Sequence, residues 1–398
     1  MPNTILTPTM VTRKAAMVLH QKLNFIGRVN RQYDDSYAKD DKIGTTLKVR
    51  LPNENTVRTG LTMTAVDVPE TSVDLVMATV KGVDMSFTSL ELALSLDDFS
   101  ERIIEPAMSV LAANIEADAL NMYKDVYNLY DGDTLAYSFT SEANARQVLT
   151  DNLSPLSQRT LTMNTGHATK FMIDTKGLMH SADNISEQYM EGIVGRTAGM
   201  DHYENTLIPI HTTGTAAKIT TYTVNGAVTV NGTAVVVVAV GATTFKAGDV
   251  FTVAACFRVH PETKVSTGVV QQFVVTADYA GGAGNLSFAP AIYTSGPRQN
   301  VTVGGMPNGN AITKVGAGAS ETLTQSLAFH KNAFAFVTGD LPLPNGRDWA
   351  KRAEIEGLSI SLIRDFTIAD RSFPCRLDVL YGYKAIRPQL ACRVHNDG

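Results

Sequence analysis

Between Thr221 and Gly318 the chain changes texture, and no other feature constrains its fold as much. Fourteen of the 30 glycines fall in this stretch, which holds only eight Asp, Glu, Lys or Arg residues. Asn225-Gly226 and Asn231-Gly232 are hairpin signals, and Gly248-Asp249 and Gly281-Gly282 mark further turns. Between the turns lie the apolar runs AVVVVAV (234–240), DVFTVAACFRV, QQFVVTADY, NLSFAPAIY and QNVTV. The first, seven apolar residues long, is far short of the ~20 needed to cross a bilayer. Its valines are β-branched and stiff, so the run predicts a central strand buried on both faces. The stretch therefore reads as a small all-β barrel or sandwich. Helical and mixed patterns precede it and return after residue 319, which makes it an insertion in a mixed α/β host. KVGAGASET (314–322) has the glycine content of a phosphate loop, but its lysine precedes the glycines. It reads as a flexible exit from the insertion.

Composition narrows the class. With 398 residues, 44% hydrophobic and 18% charged, the chain buries a sizeable core and suits two or three domains. A net charge of −5 argues against a dedicated nucleic-acid binder, which carries a strongly basic face. Cys256, Cys375 and Cys392 are odd in number and far apart, a pattern of buried inert thiols in a reducing compartment. The opening MPNTILTPTM lacks the charged and apolar regions of a signal peptide. The expectation is a soluble, intracellularly made protein with no membrane segment.

The first 31 residues contain Arg13, Lys14, Lys22, Arg28 and Arg31 and no carboxylate. Ala16, Leu19, Leu23 and Ile26 recur at helical spacing, predicting a short basic amphipathic helix, either an arm that docks elsewhere or a helix packed on its own domain. TTLKVRLP and SVDLVMATVKGVDMSF then alternate as strands. The second places Val73, Leu75, Met77, Val83, Met85 and Phe87 on one face, longer than the usual strand. With the polar excursion between them, Arg58 included, they predict an extended two-stranded arm. Next, Ile104, Met108, Leu111, Ile115, Ala119, Met122 and Val126 form one apolar stripe, a helix of about six turns. Pro106 suits a first-turn position. SEANARQVLTDNL predicts a second helix capped by Ser141.

No motif carries chemistry. The histidines show no metal-ligand spacing, and neither a nucleophile elbow nor a Walker loop occurs. Asp201, His202 and Glu204 in DHYEN form the densest polar cluster and read as a solvated turn. Asp97, Asp98, Glu101 and Glu105 lie where a helix dipole favours carboxylates anyway. No catalytic, cofactor or metal residues are assigned, and no enzyme is expected.

The order of parts carries a resemblance: basic arm, long β excursion, spine-like helix, mixed body with an inserted β domain. VNRQYDDSYAKDDKIGTTLKVRLP, VGRTAGMDHYENTLIPIHTTG, LAFHKNAFAFVTGDLPLP and RLDVLYGYKAIRPQLACRVH agree with it in order. The chain resembles the major capsid (coat) proteins of tailed bacteriophages, with the Hong Kong-type fold, and within them the short-tailed Salmonella-type branch with its inserted β-barrel. The resemblance implies an α+β fold with N-arm 1–38, extended loop 39–92, spine helix 93–130 and a first peripheral/axial part 131–220. The inserted β domain is 221–318 and the return part 319–398. It implies pentamers and hexamers of an icosahedral virion shell around double-stranded DNA, made in the host bacterial cytoplasm, with a portal. No fused scaffolding segment precedes the arm, so a separate scaffolding protein is expected. Residues 52–72 lack lysine, which puts loop-tip crosslinking in doubt.

Arg13, Lys14, Leu19, Lys22, Leu23, Arg28 and Arg58 are the candidate contacts to neighbours. The arm suits an acidic surface of a neighbour, a scaffolding helix or DNA; its apolar stripe favours a protein partner. Two rivals remain. One is another self-assembling phage protein, a tail tube or decoration subunit, against which the long helix argues. The other is a carbohydrate-binding or hydrolytic protein using the β unit as its module, yet the single tryptophan, Trp349, lies outside that unit.

Overall fold

A computed structural model describes residues 15, 23–33, 46–58, 60–63, 70–88, 105–176, 195–239, 241–316, 318–344, 349–355, 358–368 and 372–397. In chain order the first elements are β1 (Thr46–Arg50), β2 (Ser72–Val76), β3 (Thr79–Thr88), α1 (Glu105–Leu120), β4 (Leu129–Ala136) and α2 (Phe139–Asp151). Then come β5 (Arg159–Met163), α3 (Thr165–Thr175), β6 (Arg196–Thr197), β7 (Met200–Glu204), β8 (His211–Thr212), β9 (Ile219–Thr223) and β10 (Thr233–Val238). β11 (Val250–Val259), β12 (Ser266–Val275), β13 (Gly284–Ile292), β14 (Ala311–Lys314), β15 (Thr322–Leu323) and β16 (Gln325–His330) follow. β17 (Phe334–Gly339), β18 (Trp349–Ile355), β19 (Leu358–Arg364), β20 (Ser372–Ala385) and β21 (Ala391–Asp397) complete the chain. It divides into two compact units: Met1–Val49, Val73–Leu120 and Phe334–Lys384 in one, Arg50–Ser72, Asn121–Ala333 and Ala385–Gly398 in the other.

In the first unit a five-stranded sheet runs β17-β20-β19-β18, with β3 also paired to β20 over ten residues, from Thr79↔Tyr381 to Thr88↔Ser372. The expected long strand is thus two: β2 pairs with β1, and β3 belongs to the body sheet. The break at Met77-Ala78 lies where the chain passes over Gly382, whose Cβ, if present, would collide with Val76 O and Met77 Cα. α1 packs on β3, where Lys81 Nζ meets Asp118 at 2.7 Å and Tyr381 OH donates to the same carboxylate. Met108, Leu111, Ile115 and Ala119 of the apolar stripe are all buried. The α-helix ends at Leu120, earlier than expected, and Asn121–Asp125 continues as a 3-10 turn. The sequence there, NMYKD, trades the helix formers of EADAL for poorer ones. Leu23, Phe25, Ile26 and Val29 are also buried, with a 3-10 turn at Ile26–Arg28 instead of continuing α-helix. Asn30 bridges Ala335 in parallel, its N–H donating to Phe334 O at 3.0 Å.

In the second unit a six-stranded mixed sheet runs β4-β21-β16-β5-β7-β6. Every residue of its inner strands β5 and β16 is buried. α2 packs on β21, and Tyr137, Ala145, Leu149, Leu161, Phe171, Ala328 and Val394 share one core. α2 starts at Phe139 with Ser138 as N-cap; Ser141, the expected cap, lies in its first turn.

The glycine-rich stretch folds as a second six-stranded sheet, β10-β13-β12-β11-β14-β9. It closes on itself beyond β9: Val224 bridges Val238, Asn225 N donates to Val237 O at 2.8 Å, and Ala239 N to Thr223 O at 2.9 Å. The result is a small barrel, packed with Tyr222, Phe245, Phe251, Phe273 and Phe288. Residues 234–238 of the AVVVVAV run lie in β10, but with one face buried, and at the seam instead of the centre. Val236 and Val238 are 0% and 1% exposed, whereas Val235 and Val237 are 37% and 42% exposed. A barrel strand has an inside and an outside, so period two replaces burial on both faces. QNVTV contributes only a bridge, Arg258↔Val301, while the polar β9 (ITTYT) and short β14 (AITK) complete the wall.

Candidate assembly interface

Two features of the second unit stand out among the described residues: a loop with bare apolar side chains and the fastening of the barrel. The loop spans 50–72. Its base is held by Leu51 N donating to Thr71 O at 2.8 Å and by Arg50–Glu70 at 3.6 Å. Glu54 lies 3.9 Å from Lys264 of the barrel. Toward its tip, Arg58 Nη1 donates to Gly60 O and, at 3.0 Å, to Thr62 O, so this guanidinium curls the loop. The curl leaves Val57, Leu61 and Met63 standing 94%, 101% and 79% exposed. Three bare apolar side chains on one loop make it a candidate contact surface.

The barrel leaves the host sheet through 213–218 and returns through 315–321, which lie side by side. β8 pairs with β15, Thr213 N donates to Glu321 O at 2.9 Å, and Ser320 N to Gly214 O at 2.9 Å. Lys314, 1% exposed, donates from Nζ to Thr213 Oγ1 at 3.0 Å and to Gly318 O, so the expected flexible exit is tied down.

Asp249 is the hub between barrel and host. Its Oδ2 accepts from Gly214 N (3.0 Å) and Lys246 N (2.8 Å), and its Oδ1 from His211 Nε2 (2.8 Å). On the far side of the imidazole, Tyr123 OH is 3.0 Å from Nδ1. With Nε2 donating to the carboxylate, the hydroxyl donates to Nδ1. Arg393, 1% exposed, sits over the Tyr123 ring at 5.8 Å and donates Nη1 to Gly248 O at 2.8 Å. Gly248 has φ +101°, and a Cβ there would lie 3.0 Å from His211 Cε1, so only glycine fits this turn. Alongside, Gln272 pairs with the Leu129 backbone through both its amide atoms, each at 2.8 Å. Tyr127, Leu129, Val250 and Val274 close the apolar part.

Burial holds the His211 imidazole below its usual range, against the pull of Asp249. Asp249 is held below its own range because three donors outweigh its desolvation. The pair is therefore a neutral imidazole donating to a carboxylate. Burial likewise lowers Arg393 to about 10.

A second buried polar group lies in the host core. DHYEN is not a solvated turn but strand β7, and the His202 side chain is 2% exposed. Its Nε2 stands 3.5 Å from Glu142 Oε2, which accepts from Thr197 Oγ1 at 2.9 Å. Burial raises Glu142 to about 8 and lowers His202 to about 4, so both are neutral at pH 7 and form no ion pair. The three thiols are buried and unpaired with one another, raised by burial to about 12 (Cys256), 11 (Cys375) and 12 (Cys392). Among the described residues no three His, Cys, Asp or Glu could hold a metal ion, and no helix is long and apolar enough to cross a membrane.

Of the residues singled out from sequence, Arg13, Lys14, Leu19 and Lys22 lie outside the described residues, as do Asp97, Asp98 and Glu101. Leu23 is 5% exposed, committed to the core of its own subunit. Arg28 is exposed on the 3-10 turn. Arg58 shapes the loop. The hub was missed altogether: Tyr123, His211, Asp249 and Arg393 are so far apart in sequence that no spacing could join them.

The sequence matches the family described as P22 coat protein, gene protein 5, over residues 26–393. The chain belongs to the P22 coat protein family. It is a major capsid subunit of a tailed-phage shell, a structural protein of the virion with a Hong Kong-type α+β fold. The solved structure of Mycobacterium phage Che8 has the same fold, with 13% identity, a TM-score of 0.50, and 94% of this chain and 90% of that one covered. The capsid of Cyanophage P-SCSP1u gives 10% identity and a TM-score of 0.44 over 89% and 84% of the two chains. A virus-like particle from Pyrococcus furiosus gives 8% and 0.43 over 97% and 98%. No curated protein matched by sequence. Membership of this coat family places the chain in a multi-subunit shell.

Proposed function

We propose that this coat subunit forms pentamers and hexamers of an icosahedral shell, and that residues 52–72 reach a neighbouring subunit. The shell encloses double-stranded DNA without reading its sequence, since a closed wall confines DNA without tight binding. Assembly is guided by a separate scaffolding protein and starts at a portal, in the host bacterial cytoplasm. The chain has no catalytic role. In this reading 1–38 is the arm, 39–92 the extended loop with its last strand β3 joined to the body sheet, 93–130 the spine segment with the α-helix ending at Leu120, 221–318 the inserted domain, and the remainder the peripheral and axial domains. Arg13, Lys14, Leu19 and Lys22 of the arm meet a protein partner, with Arg28 beside them.

One observation carries the loop assignment: Val57, Leu61 and Met63 are bare on a loop whose base and tip are hydrogen-bonded. Contacts that repeat around a ring hold through multivalency, so each tip need contribute only modestly. Replacing all three by serine removes no buried group. The thermal midpoint of the monomer should shift by less than ~2 °C, and the yield of closed shells in sedimentation should collapse. A variant that assembles as the unmodified chain does would remove the loop from the interface.

A further inference from the structure

The barrel is joined to the host by two neighbouring strand crossings, 213–218 and 315–321, a pair of tethers that by themselves act as a hinge. The apolar patch of Tyr127, Leu129, Val250 and Val274 resists separation but has no directional preference. Direction comes from the hydrogen bonds. Asp249 takes one from the host strand (His211), one from the tether (Gly214 N) and one from its own turn (Lys246 N), while Arg393 grips the same turn at Gly248 O. Buried polar groups of this sort are weak sources of net stability, and in some proteins they fix one geometry among several.

We propose that Asp249 and His211 are positioning residues for shell assembly: they fix the angle at which the barrel stands on its host domain. The proposal rests on the shell-subunit reading and adds to it. A shell of pentamers and hexamers admits only small, defined differences in subunit geometry, because an uncontrolled angular error recurs at each contact and an open spiral replaces a ring. A barrel free to swing on its tethers would present many geometries.

The hub also makes that angle sensitive to acid. The groups facing it are Tyr123 and Lys124 from the 3-10 turn, Arg393 from β21, Lys314 from β14, and Glu321 and Asp131 beyond Lys314. A proton on His211 is opposed first by burial and then by Arg393 and Lys124, and Asp249 only partly offsets them. That proton also turns Nδ1 into a donor facing the Tyr123 hydroxyl. The imidazole is held below its ordinary value of 6.5 in the closed hub. A released imidazole protonates more readily, so closure is fully favoured above about 6.5 and is lost as pH falls toward the lower value. Asp249, held below 3.8, does not titrate in that range.

The experiment assembles the full-length chain with its scaffolding protein at pH 7.5 and 5.5 and counts uniform closed shells by electron microscopy. Unmodified chain should give at least tenfold fewer uniform shells at pH 5.5. His211→Gln keeps a side-chain N–H for Asp249 but cannot titrate. It should assemble less well than the unmodified chain at pH 7.5, because the imidazole's fit between Asp249 and Tyr123 is altered, but its yield should change less than twofold between pH 7.5 and 5.5. Asp249→Asn should lose at least tenfold at both pH values, with amide exchange at Gly214 and Lys246 at least tenfold faster. An Asp249→Asn chain that assembles normally, or a His211→Gln chain with the unmodified acid response, overturns the proposal. If Asp249→Asn fails to fold, the His211→Gln profile decides alone. Absence of shells from the unmodified chain at pH 7.5 would instead count against the shell reading.

Discussion

At the scale of single residues, adjacent valines of one apolar run have opposite fates. Val236 points into the barrel and Val237 out of it. Val236→Asp should bury an unpaired charge at a cost above ~4 kcal/mol and abolish the soluble full-length chain. Val237→Asp should leave solubility and the thermal midpoint nearly unchanged. Equal damage from both would restore burial on two faces. Sequence could not separate them, because an unbroken valine run carries no period; only closure of the barrel assigns inside and outside. Glu142 makes a second prediction at this scale. The unfolded chain releases this proton near 4.5 and the folded chain near 8, so folding binds a proton between these values and stability falls as pH rises through that window. His202 acts oppositely at lower pH: held to about 4 against 6.5, it costs stability as pH falls below 6.5. Glu142→Gln should therefore gain on the unmodified chain by ~5 °C or more between pH 5 and pH 8 in calorimetry. A difference constant with pH would contradict a neutral buried Glu142.

At the scale of elements, periodicity was the readable signal wherever one face met a core. The stripe from Met108 to Ala119 lies buried along α1, and the strands flanked by Gly-containing turns occupy the barrel. Elements set by their partners were harder. β3 is separated from β2 by a crossing over Gly382, and β9 and β14 are strands because the barrel needs them, not because ITTYT or AITK alternates strongly. The arm stripe shows the same limit: Leu23 and Ile26 fit a helix by spacing yet are buried, with Ile26 in a 3-10 turn and the chain then bonded to β17 through Asn30. The turn before β11 supplies a test. Gly248→Ala places a Cβ against His211 and strains a φ of +101°. It should destabilise the chain by ~2 kcal/mol or more and speed amide exchange at Gly214 before any change in the barrel core. Uniform exchange across the barrel would mean that the turn supports the core and not the hub.

For the whole molecule, order of parts was more informative than any motif. A chain with no catalytic spacing, a basic beginning, a projecting β loop, an apolar-striped helix and a charge-poor β insertion already had the layout of a coat protein. The joints were not legible. Asp249 looked like a turn residue, His211 was one of eight scattered histidines, and Arg393 one cation near the end, yet folding brings all three to the base of the barrel. Buried polar geometry between elements leaves no mark in local sequence. If copies of this chain build the wall of a shell, each with its barrel fixed on the host domain, electron cryo-microscopy of the chain co-produced with the proposed scaffolding protein will show it. The expected result is closed icosahedral particles of one size, with pentamers and hexamers, one six-stranded barrel per subunit at a constant angle, and the 52–72 loop lying on a neighbour. Tubes, or dispersed monomers that no scaffolding condition converts to closed particles, would contradict it.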